Sequence, residues 1–204
     1  MKIKVLIMSL RHAAFLTILL VAGLPGFLIS QQAPSKPVTA ASAIDNDFVQ
    51  KQFGLSCKLM GIAPLVADFN GDGVEDVVIP ARCTNPMTDQ TENNFTVLDP
   101  YYTFFGYGNP KVTTQFPTDI PEDRALALLV IHGSGPEGWR TATPLAKFVI
   151  VNLPFKEVTV KRFQIRKKKV MAIFIEEKGS DQMTAALFWD GKKYRYEPMG
   201  STME

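Results

Sequence analysis

One stretch of nine residues, Asp68-Phe69-Asn70-Gly71-Asp72-Gly73-Val74-Glu75-Asp76, constrains the fold of this chain more than any other. Oxygen-bearing side chains recur at alternate positions and two glycines separate them. Apolar runs flank the stretch, residues 62–67 before it and residues 77–79 after it. The pattern reads as a loop between two strands, and its chemistry suits calcium.

Calcium takes about six to eight oxygen ligands held by a flexible loop. Asp68, Asn70 and Asp72 occupy positions 1, 3 and 5 of such a loop. Val74 at position 7 offers its backbone carbonyl, Gly73 allows the sharp turn, and Asp76 at position 9 closes the set. An EF-hand would carry a glutamate at position 12, where this chain has Ile79. The competing reading needs no metal: an Asx-rich turn held by its own side-chain to backbone hydrogen bonds.

The Asp-x-Asn-x-Asp-Gly-x-x-Asp motif and its apolar flanks, within residues 62–82, resemble the calcium loop of FG-GAP and VCBS-type repeats. The resemblance implies that Asp68, Asn70, Asp72, the Val74 carbonyl and Asp76 bind calcium. In those families the repeats build β-propeller blades. The loop occurs once here, and a propeller needs four or more blades, so a single small domain is expected instead.

Cys57 and Cys83 are the only cysteines, 11 residues before Asp68 and 7 after Asp76. Their reading depends on compartment. Lys2, Lys4 and Arg11 begin the chain, residues 13–29 are almost wholly apolar, and no acid precedes Asp45. This is the pattern of an export segment. The apolar run has 17 residues, short for a span of about 20. Residues 1–30 are therefore expected to be a signal peptide or an N-terminal membrane anchor, and any membrane contact runs through them. In an exported chain two cysteines predict a Cys57–Cys83 disulfide, worth about 3 kcal/mol in the chain-entropy model. Without Lys2, Lys4 and Arg11, the 22 basic and 20 acidic residues become 19 and 20, a formal charge of −1. That leaves no overall electrostatic case for nucleic acid binding.

Residues 31–44 are rich in Gln, Pro, Ser, Ala and Thr and read as a linker. Residues 45–204 read as one globular domain. Asp45 to Asp47 offer helix caps, apolar residues follow at helical spacing, and Gly54 stops the run. Residues 84–124 are punctuated by Asn85-Pro86, Asp99-Pro100, Asn109-Pro110, Phe116-Pro117 and Ile120-Pro121, so a long irregular excursion is expected with one short strand near residues 95–98. From residue 126 onward the pattern is strand after strand: 126–131, 147–151, the alternation around 158–163, 168–177, and a hairpin over 184–197. Asp190-Gly191 there suits a type I′ turn. The fold class expected is α+β: mainly antiparallel sheet, one short N-terminal helix, and a long loop in the middle.

Catalytic signals are weak. His132-Gly133-Ser134-Gly135 lacks the glycine two residues before the serine that a nucleophile elbow needs. The run Arg166-Lys167-Lys168-Lys169 reads as a solvated turn, with an anionic surface or glycan as the alternative. Tyr101, Tyr102, Phe104 and Tyr107 fall within an aromatic run over residues 101–107 and are candidate ligand-binding residues, with packing as the alternative. The function expected is an exported, non-catalytic binding or structural domain with a calcium-stabilised loop and a protein or glycan partner, placed in the periplasm, at the cell surface or in the medium. Two alternatives stand beside it. One is a metal-dependent hydrolase using the acidic loop with Glu75, Glu92 or Asp99 as base. The other is an anchored envelope protein binding an anionic surface or glycan.

Overall fold

A computed structural model describes residues 44–106, 125–178, 180 and 182–200. The expectations placed on residues 1–43 and on Tyr107 lie outside them. Among the described residues no helix is long and apolar enough to cross a membrane.

Helix α1 (Asn46–Phe53) starts where the caps predict. The Asp45 carboxylate accepts from the Phe48 N–H at 2.8 Å, and Gly54 ends the helix at φ 88°. Val49 and Phe53 are its buried side. Strands β1 (Cys57–Leu59) and β2 (Leu65–Ala67) both pair antiparallel with β3 (Asp76–Cys83). Next to β3 comes β5 (Leu126–His132), then β6 (Ala146–Val151), and finally β4 (Thr96–Leu98) at the far edge, parallel to β6. A second sheet is an antiparallel meander in the order β10-β9-β8-β7, built from β7 (Phe155–Ile165), β8 (Lys168–Glu177), β9 (Ala185–Trp189) and β10 (Tyr194–Pro198). The class is α+β with mainly antiparallel strands, as the pattern predicts.

The continuous apolar run of β5 has a simple origin. A strand sends successive side chains to opposite faces, and both faces of this strand are covered. Ala127, Leu129 and Ile131 join a core with α1, Trp139 and the two cysteines. Leu126, Leu128 and Val130 join a second core, against Ile173, Ile175, Leu187 and Tyr194 of the second sheet. β3 and β6 divide in the same way: Val77, Ile79 and Val149 face the first core, Val78, Phe148 and Ile150 the second. The first sheet is thus the middle of three layers.

Pro80 lies inside β3 although proline cannot donate to a ladder. The first half of β3 pairs with β2 through residue 78, and the last part pairs with β1 from residue 81. Pro80 falls in the gap, and its carbonyl, which points to that side, accepts from Met60 N–H. A missing N–H there breaks no bond. For this reason β3 continues to Cys83 instead of ending at the proline.

The middle excursion is more ordered than the sequence suggests. Short helices α2 (Pro86–Asp89) and α3 (Pro100–Phe105) begin at prolines, which suit a first helical turn. Asp99 caps α3 by accepting from the Tyr102 N–H at 2.9 Å. The hairpin over residues 185–198 differs from the expected type I′ turn. Trp189 pairs with Tyr194, so the loop has four residues, and of these only Gly191 has positive φ, at 99°. The Asp190 carboxylate accepts from Lys192 and Lys193 N–H, and the Asp190 N–H donates to the Lys193 carbonyl to close the loop.

The Cys57–Cys83 disulfide joins directly opposed residues of β1 and β3 across 26 positions, both buried. It closes the covalent loop containing residues 68–76. Replacing both cysteines with alanine is expected to lower unfolding free energy by about 3 kcal/mol while leaving the far-ultraviolet circular dichroism unchanged. Urea unfolding of the double variant checks this, and an unchanged midpoint would contradict it.

Candidate functional site

The 68–75 loop joins β2 to β3, and all five residues expected to bind calcium are in or next to it. Its hydrogen bonds are local. Asp68 accepts from Gly71 N–H at 2.7 Å, Asp72 N–H at 3.1 Å and Gly73 N–H at 2.9 Å. The Asn70 Oδ1 accepts from Asp72 N–H at 2.9 Å, and Asp72 Oδ1 accepts from Val74 N–H at 2.8 Å. The Asn70 amide donates to Asp72 Oδ2 at 2.8 Å. Each short polar side chain therefore folds back over its own backbone, which is why the spacing is alternate. Gly71 and Gly73 take φ of 81° and 85°, values that favour glycine. Phe69 is the one apolar member, 2 % exposed, and it plugs the loop into the core between the sheets.

Asp76 is placed differently. It is fully buried, its Oδ2 accepts from Phe69 N–H at 2.8 Å and Asn70 N–H at 3.3 Å, and its Oδ1 accepts from Gly133 N–H at 2.8 Å. It ties the loop to the turn after β5. That turn fits closely: a Cβ on Gly133 would lie 2.2 Å from the Glu75 carbonyl oxygen, closer than any real contact. Glu75 itself pairs with Arg140 at 2.8 Å.

The donor set suits a hard cation. Asp68, Asn70, Asp72 and the Val74 carbonyl are oxygen donors within one short loop. A carboxylate has about four lone-pair positions, so Asp76 with three accepted bonds has one left. Among the described residues no three or more His, Cys, Asp or Glu side chains are gathered as a metal-holding group. A cation here would rest on Asn70 and a backbone carbonyl as well as on carboxylates.

The other candidates are not brought to this loop. Asp99 follows β4, at the opposite edge of the sheet, buried and bonded to the Asn152 amide. Glu92 is exposed before β4. Ser134 Oγ donates to the Thr143 carbonyl at 2.7 Å, while the His132 ring bonds through Nε2 to Tyr194 Oη at 2.8 Å. His132 and Ser134 thus serve different partners. The basic run forms the β7–β8 turn around Arg166 and Lys167, as expected of a solvated turn.

The aromatic run divides. Tyr101 and Tyr102 are partly buried, and Tyr101 meets Tyr196 of β10 edge-on at 5.2 Å. Phe104 and its neighbour Phe105 are about half exposed, at 48 % and 46 %. Phe104 and Phe105 both touch Tyr196, which no local pattern links to them.

Sequence reasoning missed the buried pair His132–Tyr194, which sits inside an aromatic cage of Phe148 and Trp189. The signal was thin: a single histidine at the end of a wholly apolar strand. No protein-family model, curated protein or solved structure matches this chain.

Burial pushes the Asp76 carboxyl up to about 6, against the lowering effect of its three N–H donors. Burial pushes the His132 imidazole down to about 4, against the pull of the Asp72 and Asp68 charges. A raised acid contributes stability below its unfolded value of 3.8 and loses it as pH rises through about 6. A depressed histidine contributes stability above 6.5 and loses it as pH falls through about 4. The two trends oppose, so the Asp76 and His132 contributions largely offset each other across that window. His132→Gln removes one of them. From pH 7 to pH 4 it should gain about 3 kcal/mol relative to the wild type, at about 1.4 kcal/mol per pKa unit. Urea unfolding across the range measures this; a constant difference between the two proteins would contradict it.

Proposed function

We propose that this chain is an exported, non-catalytic binding domain whose 68–76 loop is fastened by calcium. The observation that carries the reading is the arrangement of Asp68, Asn70 and Asp72. All three sit in one short loop and, among the described residues, accept only from that loop's own groups, so the turn keeps its shape without metal and a cation would add to it through their remaining lone pairs. Two anchors hold the ends: the Asp76–Gly133 hydrogen bond and the Cys57–Cys83 disulfide. A loop so fastened supports a surface more readily than it supports turnover.

The non-catalytic part has its own support. The single described histidine is buried, kept neutral and bonded to a tyrosine. Glu75, Glu92 and Asp99 are respectively ion-paired, exposed away from the loop, and sealed under α3. Export is supported by the basic and apolar start of the chain, and by a disulfide of the kind that oxidising compartments preserve. The resemblance to FG-GAP and VCBS-type calcium loops agrees with this reading.

Calcium in 100-fold excess over its dissociation constant should stabilise the domain by about 2.7 kcal/mol, several degrees in melting temperature. EDTA should remove the gain. Asp72→Asn, which keeps an acceptor and loses a charge, should abolish the calcium response with little change in the EDTA baseline. Scanning calorimetry with calcium and with EDTA tests this, and identical melting temperatures in both would sink the proposal.

A further inference from the structure

Strands β7 and β8 pair along nearly their whole lengths, but β9 covers β8 only from Ala172 to Ile175. The far end of the β7–β8 ribbon, around Arg162 to Ile165 and Lys168 to Met171, therefore projects past its neighbour. One face of this overhang looks toward the 68–75 loop. Between them lies a cleft of about 590 Å³, with Asp68, Phe69, Asn70 and Gly71 on one wall. Arg162, Lys169, Met171 and Trp189 line the other. That volume is in the range of about 300–1,000 Å³ usual for organic ligands.

The cleft is chemically asymmetric. Arg162 stands opposite Met171 in the register, and Lys169 is two residues further along the same strand, on the same face. Diagonal cross-strand neighbours of this kind are about 7–8 Å apart, within reach of a shared ligand. No ion pair or side-chain hydrogen bond among the described residues involves either cation. The one acid on the opposite wall, Asp68, is turned into its own loop, where both oxygens accept from the N–H groups of Gly71, Asp72 and Gly73. The floor is apolar and partly open. Met171 and Trp189 are half-buried, while Trp189 is held on its inner side by His132, Phe148 and Tyr194.

We propose that this cleft binds a small organic carboxylate, its anion held between Arg162 and Lys169 and its apolar body lying on Met171 and Trp189. Two like charges on one face repel each other, and a carboxylate between them replaces that repulsion with charge-assisted hydrogen bonds. An aromatic or alicyclic body fits the floor, because a flat apolar surface beside the indole is removed from water on binding. The assignment rests on the reading of the domain as a binding module, but its chemistry needs no metal.

The test is a titration followed by ¹H–¹⁵N NMR, using indole-3-acetate as probe and indole-3-acetamide as its neutral counterpart. Indole-3-acetate should give saturable shifts centred on the Trp189 indole, Met171 and Lys169. The amide should bind at least about tenfold more weakly, the cost of losing a charged hydrogen-bond partner. The double variant Arg162→Gln/Lys169→Gln touches only exposed side chains and should keep its melting temperature while losing at least about tenfold in affinity for the acid. Equal affinity for acid and amide, shifts located elsewhere, or an unaffected double variant would overturn the assignment. Melting in calcium and in EDTA is read on the same samples. Acid binding without a calcium shift supports the cleft and defeats only the calcium reading; a calcium shift without acid binding defeats only the cleft.

Discussion

β5 is covered on both faces, and most of the architecture answers to that one constraint. Its seven residues are all buried, with alternate side chains delivered to two different cores. Each fully buried leucine, isoleucine or valine there contributes about 1.5–3 kcal/mol relative to exposure. Each core is closed by its own cover. One needs α1 and the disulfide corner as a lid, and the other needs the whole second meander. The chain satisfies both with little spare material: a helix of eight residues on one side and four strands on the other. The strands beside β5 inherit the same division, so β3 and β6 are also apolar on both faces.

A middle sheet this dry pushes polar work to its ends. Asp76 opens β3, His132 closes β5, Asp99 follows β4 and Asn152 follows β6. All four are buried and hydrogen-bonded, as buried polar groups must be. Each also fastens something: Asp76 fastens the loop, His132 reaches across to β10 through Tyr194, and Asp99 with Asn152 holds α3 against the sheet edge. Removing any one would leave its partners desolvated and unpaired, so these residues act as positional pins for the irregular segments.

Where a feature depends on near neighbours, it was readable from the chain. α1 with Asp45 and Gly54, the ribbon of β7 and β8, and the loop at 68–75 all follow from local spacing and turn chemistry. The cysteine pairing followed from there being only two of them and an export-like start. Other features depend on which strands meet. Nothing in the residues of β4 says that it will lie parallel to β6. That Pro80 can sit inside a strand follows only from the gap between β1 and β2 along β3. Asp190-Gly191 reads as a two-residue turn until the register sets Trp189 against Tyr194. The role of Asp76 was half legible: the spacing marks it as a loop residue, but its bond to Gly133 spans 57 positions.

The cleft belongs to this last class, and its origin shows why no motif could announce it. It exists because two strands are longer than the sheet they serve. The inner face of β7 and β8 begins as core, with Val158 beside Ile175, and continues through Val160 and Ile173 to Arg162 and Met171. The alternation never changes; only the cover runs out. Beyond the last residue of β9, the same face that packs the core must meet water, so its apolar positions give way to Arg162, Gln164 and Lys169. The 68–75 loop then closes over this margin, with Phe69 seated in the core and the oxygen-bearing side chains above it. The overhang and the loop are set by separate devices, strand length on one side and Asx turns with the Asp76 pin on the other. Their meeting leaves a wedge with Arg162 and Lys169 on one wall, Asp68 on the other, and Met171 and Trp189 along its floor, an apolar surface with a few polar groups at its margin.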